Sequence, residues 1–447
     1  MADKELRNIV AIENIYNLDG RVPLGKAVPF GLQHVMAMFL PNIAPIIIIA
    51  TASGLGTAQQ AMLIQNAMVV AGIASLLQLY PVWRIGAKLP IIMGVSFTFV
   101  AVLCSIGAKY GYPAVVGAVL IGGIFEGCLG LTATYWRRII SPVVSATVVT
   151  TTGITLLAVG ARSFGGGYSP DFGSATNLLI GSVTLVSCLL VSCFAKGFWK
   201  QLSILGGLIV GYILSILLGR VDFSLILSGD IVSLPHLLPF TPEFHVGPIL
   251  SIAVIFLVSA AETIGDTSAM VATGLNRDIT EKEISGSLGC DGFGSSISSL
   301  FGCAPVTSFS QNVGLIAMTK VVNRFTIMTG ALCMVLAGLF PPLGAFFATL
   351  PDAVLGGCTI MMFGSIVMGG VQMFGRDGFT QRNVTIAALS IAMGVGFTGV
   401  PEIFSILPTI AQDVFANNSI ALSFIVSVVL NLVLPEDMEV KRVEAEK

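Results

Sequence analysis

The chain has 447 residues, of which 55% are hydrophobic and only 10% are charged, and its mean hydropathy is +0.92. Soluble globular domains carry about 25% charged residues, so this composition excludes a soluble protein and indicates a polytopic membrane protein embedded in a lipid bilayer. The net charge of −2 comes with no basic, aromatic-interleaved patch, so nothing in the sequence indicates a nucleic-acid partner.

Apolar runs of about 20 residues, the length that crosses a bilayer as a helix, predict an all-α protein with fourteen transmembrane segments. The third segment is interrupted by Pro90, Gly94 and Ser96, and the ninth and tenth are short, so hydropathy alone would also allow twelve. The fourteen segments are predicted to begin near Val28, Gln60, Leu89, Pro113, Ser141, Asn177, Gln201, Val246, Ile284, Pro305, Phe325, Ala353, Asn383 and Asn418.

The basic residues distinguish these two counts. With fourteen segments, all but three of the 22 basic residues fall at the termini or in alternate loops on one side, and the exceptions are Lys109, Arg162 and Arg220. Dropping one segment would move every later loop to the other side. The positive-inside rule therefore predicts a cell membrane (plasma or inner membrane) protein with both termini in the cytoplasm.

A faint internal repeat links the third and tenth segments. The stretch from Gly94 through Ser96 and Phe97 resembles the stretch from Val306 through Ser308 and Phe309. Because each half has seven segments, the second copy is predicted to be inverted in the membrane. Interrupted segments at matching places mark a midplane binding site, so each stretch is predicted to be extended and followed by a half-helix.

Three acids lie close together in membrane-grade apolar sequence: Glu262, Asp266 and Asp291. A carboxylate in hydrocarbon costs about 3 kcal/mol or more, so such a group of acids indicates a function. These residues predict a protein that moves a polar solute across the membrane.

Residues 311–320, QNVGLIAMTK, resemble the signature of the nucleobase/ascorbate transporter family, also called nucleobase:cation symporter-2. That signature is Gln-Asn-x-Gly, four residues, Thr, and then Arg, Lys or Gly, and it is matched here by Gln311, Asn312, Gly314, Thr319 and Lys320. Further matches in the expected order are Gln33-His34, Ser96-Phe97, Glu262 with Asp266, and Asp291-Gly292.

The resemblance implies a single membrane domain over residues 1–447, built as two inverted repeats over 28–220 and 246–435. It implies a core domain from segments one to four and eight to eleven (about 28–134 and 246–350). It also implies a gate domain from segments five to seven and twelve to fourteen (about 141–220 and 353–435), through which such proteins usually form homodimers.

The resemblance further implies proton-coupled import of a nucleobase by alternating access. Xanthine and urate carriers resemble one another in having Asp four residues after the eighth-segment Glu, where uracil carriers have His, and this chain has Asp266. Gln311 agrees, because uracil carriers usually have Glu there. We therefore expect a xanthine and uric acid permease, with a uracil permease as the alternative.

The chemistry of a purine dione assigns roles to these residues. Its ring alternates N–H donors with C=O acceptors, which suits the carboxylate of Glu262 and the amide of Gln311. Phe97 is expected to stack on the base while backbone N–H groups beside Ser96, Phe97 and Phe309 bind its carbonyls. Asn312 is expected to brace the extended segment.

Asp266 and Asp291 are the candidates for the proton step, because removing a carboxylate from water favours its protonated form. Asp266 lies one helical turn after Glu262, so the two cannot easily be ionised together. His34 is expected to orient Gln33 or one of the carboxylates.

Two other classes of protein are alternatives: an anion carrier and a membrane enzyme. An anion carrier of the sulfate or bicarbonate type has the same inverted fold, but the three acids argue against it. A membrane enzyme would need a metal-ligand cluster or an activated nucleophile, and the sequence shows neither, so no enzyme activity, metal or cofactor is expected. The eight cysteines are scattered singly and predict no disulfide frame.

Overall fold

The computed structural model of the protein describes residues 13–136, 141–196, 198–227, 231–416 and 418–435. Several basic residues that support the predicted topology lie outside the described residues: Lys4, Arg7, Arg137, Arg138, Lys441, Arg442 and Lys447.

Fourteen helices of ten residues or more occur in the described part, one in each stretch predicted to be a transmembrane segment. The first seven are α1 (Leu24–Ala52), α2 (Thr57–Leu79), α3 (Val100–Tyr110), α4 (Tyr112–Leu131), α5 (Pro142–Phe164), α6 (Ala175–Phe194) and α7 (Ser203–Leu217). The second seven are α8 (Val246–Met270), α9 (Glu281–Leu300), α10 (Ser310–Thr319), α11 (Arg324–Gly338), α12 (Asp352–Asp377), α13 (Gln381–Thr398) and α14 (Ser419–Val433).

Shorter helical elements connect them. The 3₁₀ helices are Asn14–Tyr16, Phe97–Phe99 and Pro401–Phe404, and a π-helical turn, Val271–Leu275, extends α8. The short α-helices are Ala133–Trp136, Phe198–Gln201, Ser224–Leu227, Pro341–Ala348 and Thr409–Phe415.

Polar caps explain where several helices begin. Thr280 and Glu283 form a capping box at the start of α9, in which Thr280 Oγ1 accepts from the Glu283 N–H (3.3 Å) and Glu283 Oε2 accepts from the Thr280 N–H (2.9 Å). Ser174, Asn323 and Asn418 cap α6, α11 and α14 in the same way, each accepting from the third helical N–H. These polar residues separate the apolar runs, which is why the loops fall where the sequence predicts them.

Two short strands, one from each half of the chain, pair with each other. β1 (Met93–Val95) and β2 (Val306–Ser308) are antiparallel, with Gly94 opposite Thr307 and Val95 opposite Val306. The extended segments predicted in the third and tenth stretches are therefore confirmed, and each is followed by a helix, α3 (through its 3₁₀ turn) or α10.

The helices pack in two groups. In the first group α4 lies against α8 and α9, and α11 lies against α1 and α2. In the second group α5 lies along α12, α6 pairs with α7, and α13 pairs with α14. The groups meet mainly where α8 lies against α5, α14 and the short helix Thr409–Phe415.

Seven of the described helices are long and apolar enough to cross a membrane. An eighth candidate is the pair Arg324–Gly338 and Pro341–Ala348, which bends by 80° at its break. These helices make the protein a multi-pass membrane protein. Of the other major helices in the described part, α3, α7, α10, α11 and α14 are too short to meet this test singly, and α9 and α13 are long enough but not apolar enough.

The segment 13–22 is fastened to the loop that follows α10. The Asn323 amide nitrogen lies 3.0, 3.1 and 3.0 Å from the carbonyl oxygens of Asn14, Asn17 and Gly20. Arg324 makes an ion pair with Asp19 and donates to the Leu79 carbonyl at 2.7 Å. The end of α10 is thus tied to the start of the described chain and to the end of α2.

Candidate functional site

The two acids of α8 face the segments that follow the strands. Glu262 and Asp266 lie one helical turn apart, on one face of the helix. Glu262 Oε2 accepts a 2.6 Å hydrogen bond from Thr98 Oγ1, in the 3₁₀ turn after β1. No hydrogen bond reaches Glu262 Oε1 from any residue that the structure describes, so this oxygen is available to a ligand.

Asp266 is held from the other stretch. The Ser310 hydroxyl, at the first residue of α10, lies 2.8 and 2.7 Å from the two carboxyl oxygens of Asp266, and Ser308 Oγ lies 3.3 Å from one of them. Thr98 and Ser310 follow Phe97 and Phe309 in the two repeated stretches. Equivalent hydroxyls therefore bind the two acids of α8, one each.

Asp291 lies deeper, on α9, and is fully buried. Its Oδ2 accepts hydrogen bonds from the hydroxyls of Thr263 on α8 and Thr307 on β2, the latter at 2.9 Å. Its Oδ1 has no hydrogen-bond partner among the described residues. The three predicted acids thus lie around the same pair of strands, and Asp291 keeps one open acceptor.

Phe97 is buried at the contact between the two helix groups. Its ring meets that of Phe363 on α12 edge to face, with centroids 5.3 Å apart and an interplanar angle of 81°. In this conformation the ring packs against the second group. The Phe97–Phe363 contact closes this side of the region around Glu262.

The backbone N–H groups of Ser96 and Phe309 are committed to the strand pair. Ser96 N donates to the Pro305 carbonyl at 2.9 Å, and Phe309 N donates to the Ile92 carbonyl at 3.1 Å. Phe309 also buries its ring in an apolar cluster formed by α1, α2 and α11. In the first turn of α10 the Asn312 N–H donates to the Phe309 carbonyl at 3.0 Å, which leaves the N–H groups of Ser310 and Gln311 for a ligand.

Asn312 makes no side-chain hydrogen bond to the extended segment in the described part, so its bracing role stays a prediction. Its amide is buried facing the imidazole of His34, and no hydrogen bond reaches either side chain from any other described residue. Asn42 of α1 does the bracing, because its Oδ1 accepts from the Val95 N–H at 2.8 Å. The expected hydrogen bonds from His34 to Gln33 or to a carboxylate are also absent from the described part.

The signature residues occupy different surfaces of α10. Gln311 and Gly314 are exposed on one face, and a Cβ added at Gly314 would meet nothing within 4 Å. Thr319 Oγ1 donates to the Leu315 carbonyl, near the end of the helix. Lys320 ends the helix with φ +58° and donates to the Thr273 carbonyl at 2.8 Å, which ties α10 to the end of α8.

A fourth acid belongs to the same region. Glu126 of α4 is fully buried, and neither carboxyl oxygen has a hydrogen-bond partner among the described residues. The acids that face it are Asp291 and Glu262, and the Ser259 hydroxyl lies beside it. In the sequence, Glu126 stands out as a single acid within an apolar, glycine-rich run.

The space beside the acids is small. A crevice of about 10 Å³ lined by Asp266, Ser308 and Asn312 has room for about one water molecule. A larger cavity, of about 180 Å³, lies elsewhere between the two helix groups. No three His, Cys, Asp or Glu side chains of the described residues are grouped so that they could hold a metal ion.

Comparison with known proteins gives consistent results. A family model described as Permease family matches residues 25–403. The chain is 34% identical to a putative purine permease of Clostridium perfringens, over 98% of this chain and 96% of the relative. It is also 34% identical to the xanthine permease of Bacillus subtilis, over 94% of this chain and 97% of the relative.

Among solved structures, the chain resembles the transmembrane domain of BicA, a cyanobacterial bicarbonate transporter. The TM-score is 0.56 at 15% identity, over 92% of this chain and 98% of that domain. The likeness shows that the two proteins share a fold.

Proposed function

The chain belongs to the nucleobase/ascorbate transporter family of permeases, and from this premise we propose that it imports a purine base, xanthine or uric acid, together with protons. The names of its relatives support a purine as the substrate class. Asp266 and Gln311 support xanthine and uric acid over uracil, as the family pattern implies.

The observation that carries the proposal is the environment of Glu262. One carboxyl oxygen is fixed by Thr98, and the other accepts no hydrogen bond from the described residues. A purine N–H can bind that oxygen, and two adjacent ring N–H groups can share the carboxylate. Gln311, exposed at the second residue of α10, can read the opposite edge of the ring with its amide.

The grouping of several acids in one part of the membrane domain supports proton coupling. Glu262, Asp266 and Asp291 are surrounded by hydroxyl donors, and no basic side chain bonds to any of them in the described part. Several carboxylates in a low dielectric cannot all be ionised, so at least one holds a proton. We assign the transported proton to Asp266 or Asp291, because Glu262 is the ligand acceptor.

The packing supports fourteen membrane segments arranged as two inverted repeats. The counterpart of each helix in the first half is the helix seven places later. This exchange turns the α4–α9 contact into α11–α2 and the α6–α7 contact into α13–α14, and all four contacts are present. The strand register has the same symmetry. When the two repeats are exchanged, the pair Gly94–Thr307 becomes the pair Val306–Val95, which is also present.

We further propose that the two helix groups are the core and gate domains. The first group takes in 28–134 and 246–350, and the second takes in 141–220 and 353–435. Alternating access would then break the Phe97–Phe363 contact as the core moves past the gate. Both termini are assigned to the cytoplasmic side of the cell membrane, and homodimers are expected to form through the gate.

Uptake of labelled xanthine into proteoliposomes under an inward proton gradient tests the proposal. Competition by urate and not by uracil, together with loss of uptake when the gradient is collapsed, is the expected result. Competition by uracil alone would assign the protein to uracil transport. No uptake of any base, with uptake of bicarbonate or sulfate, would favour the anion carriers that share the fold.

A further inference from the structure

The cavity of about 180 Å³ lies between the two helix groups, and none of the three acids is among the residues that line it. Its wall on the first group is formed by the end of α1, with Ile48 and Thr51, and by Cys104 of α3. Its volume is below the roughly 300–1,000 Å³ of pockets for drug-sized ligands, so it suits one small molecule.

The wall on the second group carries the charges. Arg162, at the end of α5, places its guanidinium carbon 4.6 Å from the centre of the Tyr168 ring. No hydrogen bond or ion pair joins the Arg162 side chain to another described residue, so its N–H groups are open to a ligand. Asp352, the first residue of α12, completes the wall.

Asp352 is held in place by close packing. A Cβ added at Gly167 would come within 2.2 Å of Asp352 Oδ2, and Gly167 has φ +68°, a conformation that favours glycine. The glycine lets the loop carrying Tyr168 approach the carboxyl group. No hydrogen bond to the Asp352 carboxylate comes from the described residues, so it too keeps open acceptors.

These groups match a flat heterocycle that has both N–H and C=O edges. A guanidinium donates two parallel hydrogen bonds to carbonyl oxygens or to an anionic ring, and a carboxylate accepts from ring N–H groups. Stacking on an aromatic ring is worth about 1–3 kcal/mol per base. The cavity therefore offers a purine the same kinds of contact as the region around Glu262, with Arg162 in place of an amide.

The position of the cavity places it on the entry side. In the proposed topology α1 and α5 end, and α12 begins, on the outer face, and Arg162 is one of the three basic residues assigned to that face. We propose that this cavity is an outer binding site, where a purine base docks between Arg162, Tyr168 and Asp352 before it reaches Glu262. This inference rests on the proposed purine transport.

Cys104 provides a direct measurement, because its thiol is a free, part-buried group in the cavity wall. A variant that keeps Cys104 and replaces the other seven cysteines is labelled from outside with a membrane-impermeant thiol reagent. We expect xanthine at ten times its dissociation constant to slow the labelling about ten-fold, since free sites fall by that factor. The same protection is expected with Glu262→Gln, which disables the inner site.

Substitutions in the cavity wall should remove this protection. Arg162→Ala and Asp352→Asn are expected to abolish it, and Arg162→Lys, which keeps the charge without the planar fork, should retain part of it. As a second measurement in the unmodified cysteine background, Arg162→Ala should raise the KM for uptake about ten-fold with little change in the maximal rate, as loss of a charge-assisted hydrogen bond predicts.

Three results would overturn the outer site: no labelling of Cys104 without ligand, loss of protection in the Glu262→Gln variant, or full protection with unchanged KM in Arg162→Ala. Failure of the proposed function gives a different result. In that case the unmodified protein accumulates no purine under any gradient, whatever happens at Cys104.

Discussion

Thr98 and Glu262 are joined by a 2.6 Å hydrogen bond, although they lie 164 positions apart in the chain. The bond connects the turn after β1 to the helix that carries two of the membrane acids. It holds one carboxyl oxygen of Glu262, and the second accepts no hydrogen bond from the described residues. The acid is thus tied to the turn that follows β1.

Replacing Thr98 tests this relationship. Thr98→Ala removes a hydrogen bond to a carboxylate, which is worth about 1.5–3 kcal/mol, so the KM for purine uptake should rise about ten-fold or more. Thr98→Ser keeps the hydroxyl and should stay near the unsubstituted protein. Equal KM values for the two variants, measured at matched amounts in the membrane, would show that the hydroxyl does not orient Glu262.

Glu262→Gln should abolish uptake while the protein still reaches the membrane. The amide cannot accept from two ring N–H groups through equivalent oxygens, and it removes the negative charge that the donors around it stabilise. Asp278→Asn, an exposed acid in the loop before α9, is the matched control and should transport normally. Uptake by Glu262→Gln at the control rate would contradict the assigned role.

The sequence was sufficient to locate the acids and the extended stretches. Carboxylates are rare in apolar segments, and Pro90 and the Ser-Phe pairs interrupt the helical pattern, so both signals are local. The partners of these residues were not predictable, because Thr98 and Asn42 look like ordinary polar residues until the fold brings distant segments together. The amide that braces β1 comes from Asn42 of α1, which the sequence could not indicate because any neighbouring helix can supply such a contact.

Two glycines should respond in opposite ways to alanine. A Cβ at Gly292 would come within 2.0 Å of the Gly127 backbone nitrogen where α9 crosses α4, so Gly292→Ala should lower the free energy of unfolding by about 1–3 kcal/mol. Gly314 has nothing within 4 Å, so alanine there should preserve stability or add up to about 1 kcal/mol.

Measurements of uptake distinguish the Gly292→Ala and Gly314→Ala variants further. Gly314 lies one turn after Gln311 on the exposed face of α10, so Gly314→Ala should reduce the uptake rate in a stable protein. Thermal unfolding in detergent and xanthine uptake are measured on both variants. A destabilised Gly314→Ala protein would show that this signature glycine is needed for packing instead of for space beside the ligand.

Asn323 should contribute more to stability than a simple helix cap. It caps α11 and also holds the segment 13–22, so Asn323→Ala leaves several backbone carbonyls without their donor and should cost about 2–4 kcal/mol. Asn418→Ala is the matched control, because Asn418 caps α14 and its amide nitrogen has no partner in the described part. It should cost about 1 kcal/mol. Equal losses in unfolding experiments would mean that the contacts to 13–22 add nothing.

Glu126 should reduce the stability of the core. Its carboxyl group is fully buried without a hydrogen bond from the described residues, and the ionisable groups that face it are acids. An unsatisfied buried polar group costs about 1–3 kcal/mol, so Glu126→Met, similar in length and apolar, should raise the free energy of unfolding by roughly that amount. Ser259→Ala, which removes the hydroxyl beside it and keeps the acid, should not stabilise the protein.

The same Glu126→Met protein should accumulate less purine under a proton gradient, because a destabilising acid kept beside Asp291 is expected to serve the proton step. Exchange of labelled for unlabelled xanthine across the membrane without a gradient should continue, since Glu262 and Gln311 are untouched. Thermal unfolding, gradient-driven uptake and exchange are measured on one preparation. A destabilised variant would mean that Glu126 has a stabilising partner, and unchanged accumulation would remove it from the proton step.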